Sequence, residues 1–440
     1  MPAAKPKSRA LTVAERHHLM LTDQEYRKAR QFTLKLRITP GHNKLQQMPY
    51  AVKSTAPIDN MMKAAVVKQV ISSELPSTIA KFLFADPIVK FGVPWLIEDV
   101  SAPTAESLDD HDILIKVAVA SFCHTDIMVL NGVFHDKPSG LPGSHEPSGT
   151  IVALGREAAK SFAVGDRIIA IGIRGPCDNC MDCNGPEEFQ LSCKFNKGYA
   201  GISSPGAFAE YTVLDDRFAV KIPDELSFIK AAPLTCAGCT SWRAVKRAAV
   251  RPGGWLGIVG SGGGLGHLAI QIAKKQGINV VGIEARDVAL ELTTKAGASA
   301  VDVRPGKTVM VQQVRSLIGL RGAGRGDDLC DATIVLSDAE PALETGMIIT
   351  KGHGLVVEVA QPKRVNFPFE EMIFRDIRMM GSNLSSRSEL ADLVRFVVEQ
   401  DVAVETTVFH GLQSLRQVYE LSESGASAGK VVVVIDGTQV

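Results

Sequence analysis

The chain has 440 residues, of which 45% are hydrophobic and 22% charged, and its 48 Lys and Arg balance its 48 Asp and Glu. This length favours two domains, each with enough apolar residues for a core. The zero net charge removes a general attraction for nucleic acid or anionic lipid, and no apolar run is long enough for a transmembrane helix or a secretory signal. We therefore expect an intracellular protein that binds neither nucleic acid nor membranes.

The neutral total combines two unlike parts. Residues 1–61 contain 11 Lys and Arg against 4 Asp and Glu, with Pro and Gly interruptions and little hydrophobic periodicity. Such a segment is typical of a disordered or targeting extension. It is either a mitochondrial transit segment or sequence upstream of a start at Met61 or Met62. Its acidic residues and its few Ser favour the cytoplasm over the mitochondrial matrix.

Short apolar runs follow between residue 62 and about residue 238, separated by Gly, Pro, Asp and Ser. Residues 113–119, 150–154 and 209–213 are examples, and they predict a domain rich in strands and loops.

Four cysteines fall within one short polar loop of this region, at Cys177, Cys180, Cys183 and Cys193. The loop has too few apolar residues to form a core, and an intracellular setting argues against disulfides. Four thiolates complete a tetrahedral Zn²⁺ shell and leave no open position. The loop therefore predicts a structural zinc site.

Longer units of strand and helix begin near residue 239. Residues 255–259 predict a buried strand, a helix follows to about Gln276, and residues 279–283 predict the next strand. Further strands are predicted at 332–336 and 354–359, between helical stretches. This alternation predicts an α/β fold with a doubly wound parallel sheet.

A glycine-rich turn joins the first of these strands to its helix. Residues 260–266 read Gly-Ser-Gly-Gly-Gly-Leu-Gly, which lets a pyrophosphate approach the N–H groups at the helix N-terminus. Glu284 closes the second strand, where a carboxylate accepts hydrogen bonds from adenosine ribose hydroxyls. A carboxylate there repels a 2′-phosphate and favours NAD over NADP, although Arg286 would weaken this preference.

Three further segments carry Cys, His and acidic residues: Cys123-His124-Thr125-Asp126, Gly143-Ser144-His145-Glu146 and Pro233-Leu234-Thr235-Cys236. With the four-cysteine loop and the glycine turn, they resemble the motifs of the zinc-dependent alcohol dehydrogenases of the medium-chain dehydrogenase/reductase (MDR) superfamily. The resemblance runs from about Met62 to about Val433. It implies a GroES-like, β-rich catalytic domain at 62–238, a Rossmann NAD-binding domain at 239–381 and a return to the catalytic domain at 382–440.

The resemblance also implies a catalytic zinc site. Cys123, His145 and Cys236 would be the protein ligands, with water or the substrate oxygen in the fourth position. Glu146 would be a neighbouring carboxylate able to approach the metal. Asp126 would accept the other ring N–H of His145 and so orient the imidazole.

The remaining implied roles concern the substrate and the cofactor. Thr125 matches the hydroxyl that hydrogen-bonds the substrate oxygen and begins proton transfer to solvent. The predicted cofactor contacts are His124 and Lys430 at the pyrophosphate, Thr240 at the nicotinamide, Val359 at the edge of the site, and Gly260, Gly263, Gly264, Leu265, Gly266 and Glu284 in the turn and strand described above. The resemblance thus predicts reversible hydride transfer between a small-molecule alcohol and NAD, one catalytic and one structural Zn²⁺ per subunit, and a homodimer or homotetramer.

The chain departs from the family pattern at several positions. Met128 occupies the place of a relay histidine, so the proton path would end at the cofactor ribose and water, or at His135. Ser144 and Ala360 stand where the family has glycine. The spacing before Cys193 is two residues longer than is common in the family.

Residues 72–94 form an insertion between the first two predicted strands of the family pattern, with several apolar residues. It is an exposed hairpin, a partner-binding segment or an error in the gene model, and the sequence does not choose among these.

The sequence leaves two alternatives to an alcohol dehydrogenase. Zinc-free quinone or enoyl reductases share the architecture but lack these zinc-binding Cys and His residues. A catalytically silent protein that binds NAD or nucleic acid, with zinc in a structural role, is the other alternative. The complete set of Cys123, His145 and Cys236 argues against both.

Overall fold

The computed structural model describes residues 61–67, 95–134, 140–319 and 328–440. The predicted extension up to residue 60, the predicted insertion at 72–94 and His135 lie outside the described residues. Within the described ranges, no helix is both long enough and apolar enough to cross a lipid bilayer.

The described residues form strands throughout, and most of the early ones are short. The strands are β1 (Met61–Val67), β2 (Leu96–Ser101), β3 (Asp112–Phe122), β4 (Leu141–Pro142), β5 (Glu146–Leu154), β6 (Arg167–Ala170), β7 (Ile173–Arg174), β8 (Gly198–Tyr199), β9 (Tyr211–Asp215), β10 (Ala219–Lys221), β11 (Trp255–Val259), β12 (Asn279–Glu284), β13 (Ser299–Asp302), β14 (Cys330–Val335), β15 (Thr350–Glu358), β16 (Arg378–Gly381), β17 (Thr406–His410) and β18 (Lys430–Val434).

Helices connect the later strands and flank the sheets. They are α1 (His124–Leu130), α2 (Phe228–Ala231), α3 (Ala237–Ala248), α4 (Gly266–Lys275), α5 (Asp287–Lys295), α6 (Lys307–Ile318), α7 (Ala342–Ile348), α8 (Phe369–Ile373), α9 (Arg387–Glu399) and α10 (Leu415–Glu423).

One part of the molecule is built on mainly antiparallel sheets. Its largest sheet has seven strands in the order β10-β6-β5-β3-β18-β17, and β9 also pairs with β3. Ile115 and Val117 of β3 enter one apolar cluster, whereas Ala118 enters another. Because both faces of β3 are buried in this way, its apolar run is nearly continuous.

The other part is a parallel sheet of six strands in the order β13-β12-β11-β14-β15-β16. The chain adds β12 and β13 on one side of β11 and then returns to add β14, β15 and β16 on its other side. Such a switch point opens a crevice at the carboxyl ends of the strands. The observed order confirms the predicted doubly wound sheet and the α/β fold class.

A single apolar cluster runs through both parts. It includes Ala118 and Val432 from the antiparallel sheet, Ile258 and Val357 from the parallel sheet, and Leu393 of α9. The chain returns to the antiparallel sheet after β16, because β17 and β18 pair beside β3. We propose the domain limits 62–238, 239–381 and 382–440 on the basis of this path.

Candidate active site and structural metal site

The four cysteines of the predicted structural zinc loop converge. Their Sγ atoms all lie within 4.8 Å of one another, with 3.9 Å between Cys177 and Cys183 and 3.8 Å between Cys180 and Cys193. Four sulfurs placed about 2.3 Å from a tetrahedral Zn²⁺ would be about 3.8 Å apart. All four thiols are free of disulfides. The donor set and its spacing therefore fit a closed Zn²⁺ site.

Charged contacts hold the base of this loop. The Arg217 guanidinium donates to the carboxylate of Asp215 at 2.7 Å and also to that of Asp178. The buried Asp215 carboxylate accepts the Gly175 N–H at 2.8 Å as well. These charge-assisted bonds fix the chain on both sides of Cys177, where apolar packing is scarce.

A second group of ligand atoms comes from the N-termini of two helices and from the start of β5. Cys123, His145, Glu146 and Cys236 each place one ligand atom within 4.8 Å of the others. Cys123 is the N-cap residue of α1, and Cys236 is the N-cap residue of α3. The partial positive charge of a helix N-terminus favours the thiolate form that binds metal. This donor set fits a Zn²⁺ site with an open position.

The ionisable groups of this second cluster perturb one another. A hydrogen bond from the Cys236 thiol lowers the pKa of Cys123, and the Cys123 sulfur in turn raises the pKa of Cys236. Burial lowers the pKa of His145, but Cys123 and the nearby carboxylates raise it more, to about 9. Burial raises the pKa of Glu146 to about 7 against the opposing charge of Lys430. Mutual perturbation of this kind in a cleft is typical of functional sites.

Asp126 does not make the hydrogen bond that the sequence predicts. Its Oδ2 accepts the backbone N–H of Cys123 and its Oδ1 accepts that of Ser144, both at 2.9 Å. The buried Nδ1 of His145 has no hydrogen-bond partner among the described residues. Because both carboxylate oxygens point to backbone amides, Asp126 fixes the segments that carry the ligands rather than the imidazole itself.

Ser144 adopts the backbone conformation that explains a glycine at this position in the family pattern. Its φ is 64°, in the left-handed region that favours glycine. The Ser144 hydroxyl donates to the carbonyl oxygen of Ser121 at 3.0 Å and accepts the N–H of Glu146 at 3.2 Å. These two hydrogen bonds offset the backbone strain and present His145 to the cluster.

Lys430 lies beside the metal-ligand cluster. Its Nζ is 2.8 Å from the Glu146 carboxylate and donates to the carbonyl oxygen of Phe122 at 2.9 Å. Both Lys430 and Glu146 side chains are buried. The ammonium therefore compensates a carboxylate that would otherwise be an unpaired charge in the core. The predicted contact of Lys430 with a pyrophosphate stays a prediction.

A cavity of about 710 Å³ is lined by both parts of the molecule. It brings together most of the predicted catalytic and cofactor residues, namely Cys123, His124, Thr125, His145, Cys236, Thr240, Gly260, Gly263, Gly264, Leu265, Glu284, Val359 and Lys430. Asp126, Glu146 and Gly266 are the predicted residues of this group that do not line it. The metal ligands and the glycine turn thus share one space.

Thr125 and Met128 line the same cavity near the ligands. The Thr125 hydroxyl oxygen lies 3.6 Å from the Cys123 sulfur. Met128, in the position of the family's relay histidine, contributes a side chain without an exchangeable proton. Nε2 of His124, the first residue of α1, lies 3.2 Å from the Asp338 carboxylate, which links α1 to the loop after β14.

Close backbone approaches explain the glycines of the turn. A Cβ at Gly262 would lie 2.0 Å from the carbonyl oxygen of Ala289, and one at Gly264 would lie 2.8 Å from Cδ of Lys430. At Gly263 the nearest atom would be 3.5 Å away. Gly262 is therefore required by packing against backbone, and a Cβ at Gly264 would displace the Lys430 side chain. Gly263 leaves space in which a ligand can approach the backbone.

Glu284 and Arg286 lie next to this turn. The Glu284 carboxylate accepts the N–H of Gly262 at 3.3 Å. Arg286 donates through Nη1 to the carbonyl oxygens of Gly425 at 2.9 Å and Ser427 at 3.4 Å, in the loop before β18. The guanidinium therefore connects the parallel part to the returning segment.

Comparison with known proteins assigns both parts of the chain. Residues 109–224 match the alcohol dehydrogenase GroES-like domain, and residues 264–399 match the zinc-binding dehydrogenase domain. The alcohol dehydrogenase of Geobacillus stearothermophilus is 30% identical over 352 residues, which are 79% of this chain and 98% of the relative. The chain belongs to the zinc-binding alcohol dehydrogenase family. This membership confirms the resemblance found in the sequence.

Solved structures of similar proteins have the same fold. The alcohol dehydrogenase of the archaeon Aeropyrum pernix superposes with a TM-score of 0.71 at 26% identity, over 84% of this chain and 99% of the other. The acetophenone reductase of Geotrichum candidum, solved in complex with NAD, superposes with a TM-score of 0.69 at 22% identity, over 88% of this chain and 100% of the other. The second likeness concerns the fold alone.

Proposed function

We propose that this protein is an NAD-dependent alcohol dehydrogenase with one catalytic and one structural Zn²⁺ per subunit. It transfers hydride reversibly between an alcohol and NAD, with an aldehyde or ketone as the oxidised product. The observation that carries the proposal is the shared cavity, which Cys123, His145 and Cys236 line together with the glycine turn. When bound, Zn²⁺ supplies a Lewis acid for the alcohol oxygen and NAD supplies the hydride acceptor.

The chain's own residues hold the substrate and move its proton. The Thr125 hydroxyl lies beside the Cys123 sulfur in the cavity, where it accepts the proton of the substrate hydroxyl and passes it toward water. The Met128 side chain has no group that accepts and releases a proton, so the proton path from the substrate does not run through that position. Asp126 keeps the ligand-bearing backbones in place, and Lys430 compensates the charge of Glu146 beside the ligands.

The glycine turn and Glu284, which would hold the cofactor, lie at the carboxyl ends of β11 and β12. The proposed contacts are Gly260, Gly263, Gly264, Leu265 and Gly266 at the pyrophosphate with His124 and Lys430, Glu284 at the ribose, and Thr240 and Val359 near the nicotinamide. All of them except Gly266 line the cavity. Glu284 repels a 2′-phosphate. Nη1 of Arg286 donates to two backbone carbonyls, and its Nε lies 3.6 Å from the Glu284 carboxylate, so part of the guanidinium charge is directed away from a 2′-phosphate. Both features support NAD over NADP.

The structural Zn²⁺ is held by Cys177, Cys180, Cys183 and Cys193. Sulfur spacing near that of a tetrahedral ZnS₄ centre supports this assignment. The loop lies outside the cavity lining, so its metal takes no part in the reaction.

Metal content and activity measured on one preparation test the proposed function. We expect about two Zn²⁺ per subunit and NADH formation with members of a panel of primary and secondary alcohols. Full zinc occupancy without NAD-linked turnover of any alcohol would contradict the proposal. Reduction of quinones or enones that survives complete removal of zinc would favour the zinc-free reductase alternative.

We also propose a homodimer, or a homotetramer built from such dimers. Among the described strands, β16 pairs only with β15 and all its residues are exposed. The preceding α8 and the residue after it expose Ile373 and Phe374 to 60% and 74%. A free sheet edge beside apolar side chains favours pairing with a second copy. Light scattering during gel filtration tests this proposal, and a monomer at micromolar concentration would contradict it.

The cytoplasm is the proposed compartment, because the acidic residues and scarce Ser of residues 1–61 are unlike a transit segment. Imaging of the tagged full chain tests this, and import into mitochondria would contradict it.

A further inference from the structure

His267 is a buried residue to which the proposed function gives no role. It is the second residue of α4, directly after the glycine turn, and its exposed fraction is 0%. Its Nε2 accepts the backbone N–H of Glu405 at 3.3 Å, and its Nδ1 lies 3.0 Å from the carbonyl oxygen of Gly263. Because a backbone N–H only donates, Nε2 carries no proton, and Nδ1 carries the proton that it donates to Gly263.

The two partners of His267 belong to different parts of the molecule. Gly263 lies in the glycine turn, whereas Glu405 directly precedes β17 in the antiparallel sheet. The carbonyl oxygen of Glu405 accepts the backbone N–H of Lys430 at 2.9 Å. Nζ of Lys430 in turn holds the Glu146 carboxylate at 2.8 Å. The imidazole of His267 and two further residues, Glu405 and Lys430, thus connect the glycine turn to the carboxylate beside the metal ligands.

Gln271, one helical turn further along α4, makes a comparable link that does not reach the glycine turn. Its amide donates to the carbonyl oxygen of Ala403 and accepts the N–H of the same residue, both at 2.8 Å. Side chains four residues apart share one face of a helix. His267 and Gln271 therefore attach the same face of α4 to residues 403–405, but of these two only His267 also bonds the turn.

We propose that His267 is the positioning residue that sets the glycine turn against the metal-binding part of this enzyme. The inference rests on the proposed NAD site at this turn. A turn with five glycines in residues 260–266 has little conformational preference of its own, so contacts from outside the turn have to fix it. By bonding Gly263 and Glu405 from opposite edges of one rigid ring, His267 fixes where a pyrophosphate binds relative to Lys430 and Glu146.

The surroundings of His267 keep its ring neutral. Burial lowers the pKa of His267 to about 4, against the hydrogen bond to Gly263 and the charge of Glu405, which raise it. The Glu405 carboxylate is itself paired with Lys295 at 2.8 Å, and the Lys430 ammonium also opposes a charged ring. The single tautomer required by both hydrogen bonds therefore persists at neutral pH.

Direct titration of the zinc-loaded protein with NAD, by calorimetry or fluorescence, tests the inference. His267→Leu removes both hydrogen bonds, and we expect the Kd for NAD to rise about tenfold, which corresponds to about 1.4 kcal/mol. Gln271→Ala, which removes the neighbouring link, is the matched control, and we expect it to keep the Kd within about twofold of wild type. Both variants are expected to lower stability, so a loss of stability alone would affect NAD binding similarly in the two. A weaker NAD affinity in His267→Leu than in Gln271→Ala would therefore report the positioning role.

Two conservative variants divide the role of the ring. His267→Asn places an amide near the position of Nδ1 and can still donate to Gly263, whereas His267→Gln places one near Nε2 and can still accept from Glu405. Each should restore part of the NAD affinity lost in His267→Leu. In each variant KM for NAD should lie between the values of wild type and His267→Leu, whereas KM for the alcohol should equal that of wild type.

The outcomes distinguish this inference from the proposed function. Wild-type NAD affinity in folded His267→Leu protein, or an equal loss in Gln271→Ala, would overturn the positioning role. If His267→Leu does not fold, the Asn and Gln variants are compared with Gln271→Ala in the same way. A wild-type protein that binds no NAD would instead contradict the proposed function.

Discussion

Gly262 and Gly263 are adjacent in the same turn, yet the structure predicts opposite consequences for adding a methyl group to each. At Gly262 the new Cβ would lie 2.0 Å from the carbonyl oxygen of Ala289 and 2.5 Å from its Cα, which are backbone atoms of α5. Backbone atoms of a packed helix cannot rotate away, so the turn or the helix has to shift. At Gly263 the nearest atom, the carbonyl oxygen of Gly260, would be 3.5 Å away, which is an ordinary contact.

The two variants therefore separate stability from cofactor binding. Gly262→Ala should lower the free energy of unfolding by about 3 kcal/mol, the upper end of the usual cost of overpacking, because the clash is with backbone. Gly263→Ala should change it by less than about 1 kcal/mol, since alanine also reduces the entropy of the unfolded chain. The Gly263 variant should nevertheless bind NAD more weakly, because its methyl group occupies the approach of the pyrophosphate.

Urea unfolding followed by circular dichroism and NAD titration of the same samples measure both quantities. Equal stability of the two variants would refute the packing argument at Gly262. Unchanged NAD affinity in Gly263→Ala would refute the placement of the pyrophosphate at this turn.

The two metal sites and His267 give three further predictions. Cys236→Ser should remove about one Zn²⁺ per subunit and nearly all alcohol oxidation, whereas Cys239→Ser, at a buried thiol in α3, should keep both. Metal analysis and steady-state kinetics compare the two variants, and unchanged turnover in Cys236→Ser would disprove its role as a ligand. Cys193→Ser should release the other Zn²⁺ and lower the melting temperature, and an unchanged melting temperature would argue against a structural metal. The folded pKa of His267 is about 4, below the ordinary 6.5, so its contribution to stability is present above pH 6.5 and is lost as the pH falls toward 4. Between pH 7 and pH 5 the wild type should therefore lose about 2 kcal/mol more than His267→Asn in urea unfolding, and parallel pH slopes would show that the ring is not held neutral.

The features that the sequence predicts correctly involve residues close together along the chain. The four cysteines of the loop fall within residues 177–193, and the glycine turn lies directly between a strand and its helix. The local sequence determines the positions of these residues, because a short loop brings its residues together and a βαβ unit fixes the position of its turn. The parallel sheet was predictable for the same reason, from the alternation of strands and helices.

Contacts between distant segments were not predictable. The Lys430–Glu146 pair joins residues 284 positions apart, and the Glu405–His267 bond spans 138. Apart from the family resemblance, the sequence suggests an exposed cation at Lys430, and it does not show which acidic residue pairs with it. The family resemblance predicts the ring N–H of His145 as the donor to Asp126, but the carboxylate accepts backbone N–H groups instead, including that of Ser144. The direction of a carboxylate depends on which backbone amides pack beside it, and the sequence does not show this.

The two metal sites also differ in when a growing chain can complete them. Residues 177–193 supply every donor of the four-cysteine site, so closing that short loop costs little chain entropy. The other site draws on Cys123, His145 and Cys236, and the Glu146 beside them lacks its counter-charge until Lys430 has been synthesised. A chain still on the ribosome can therefore take up one Zn²⁺ early, whereas the reactive centre is finished only when the returning segment pairs with β3. The order of residues along the chain thus allows the four-cysteine site to close before the surroundings of the other site are complete.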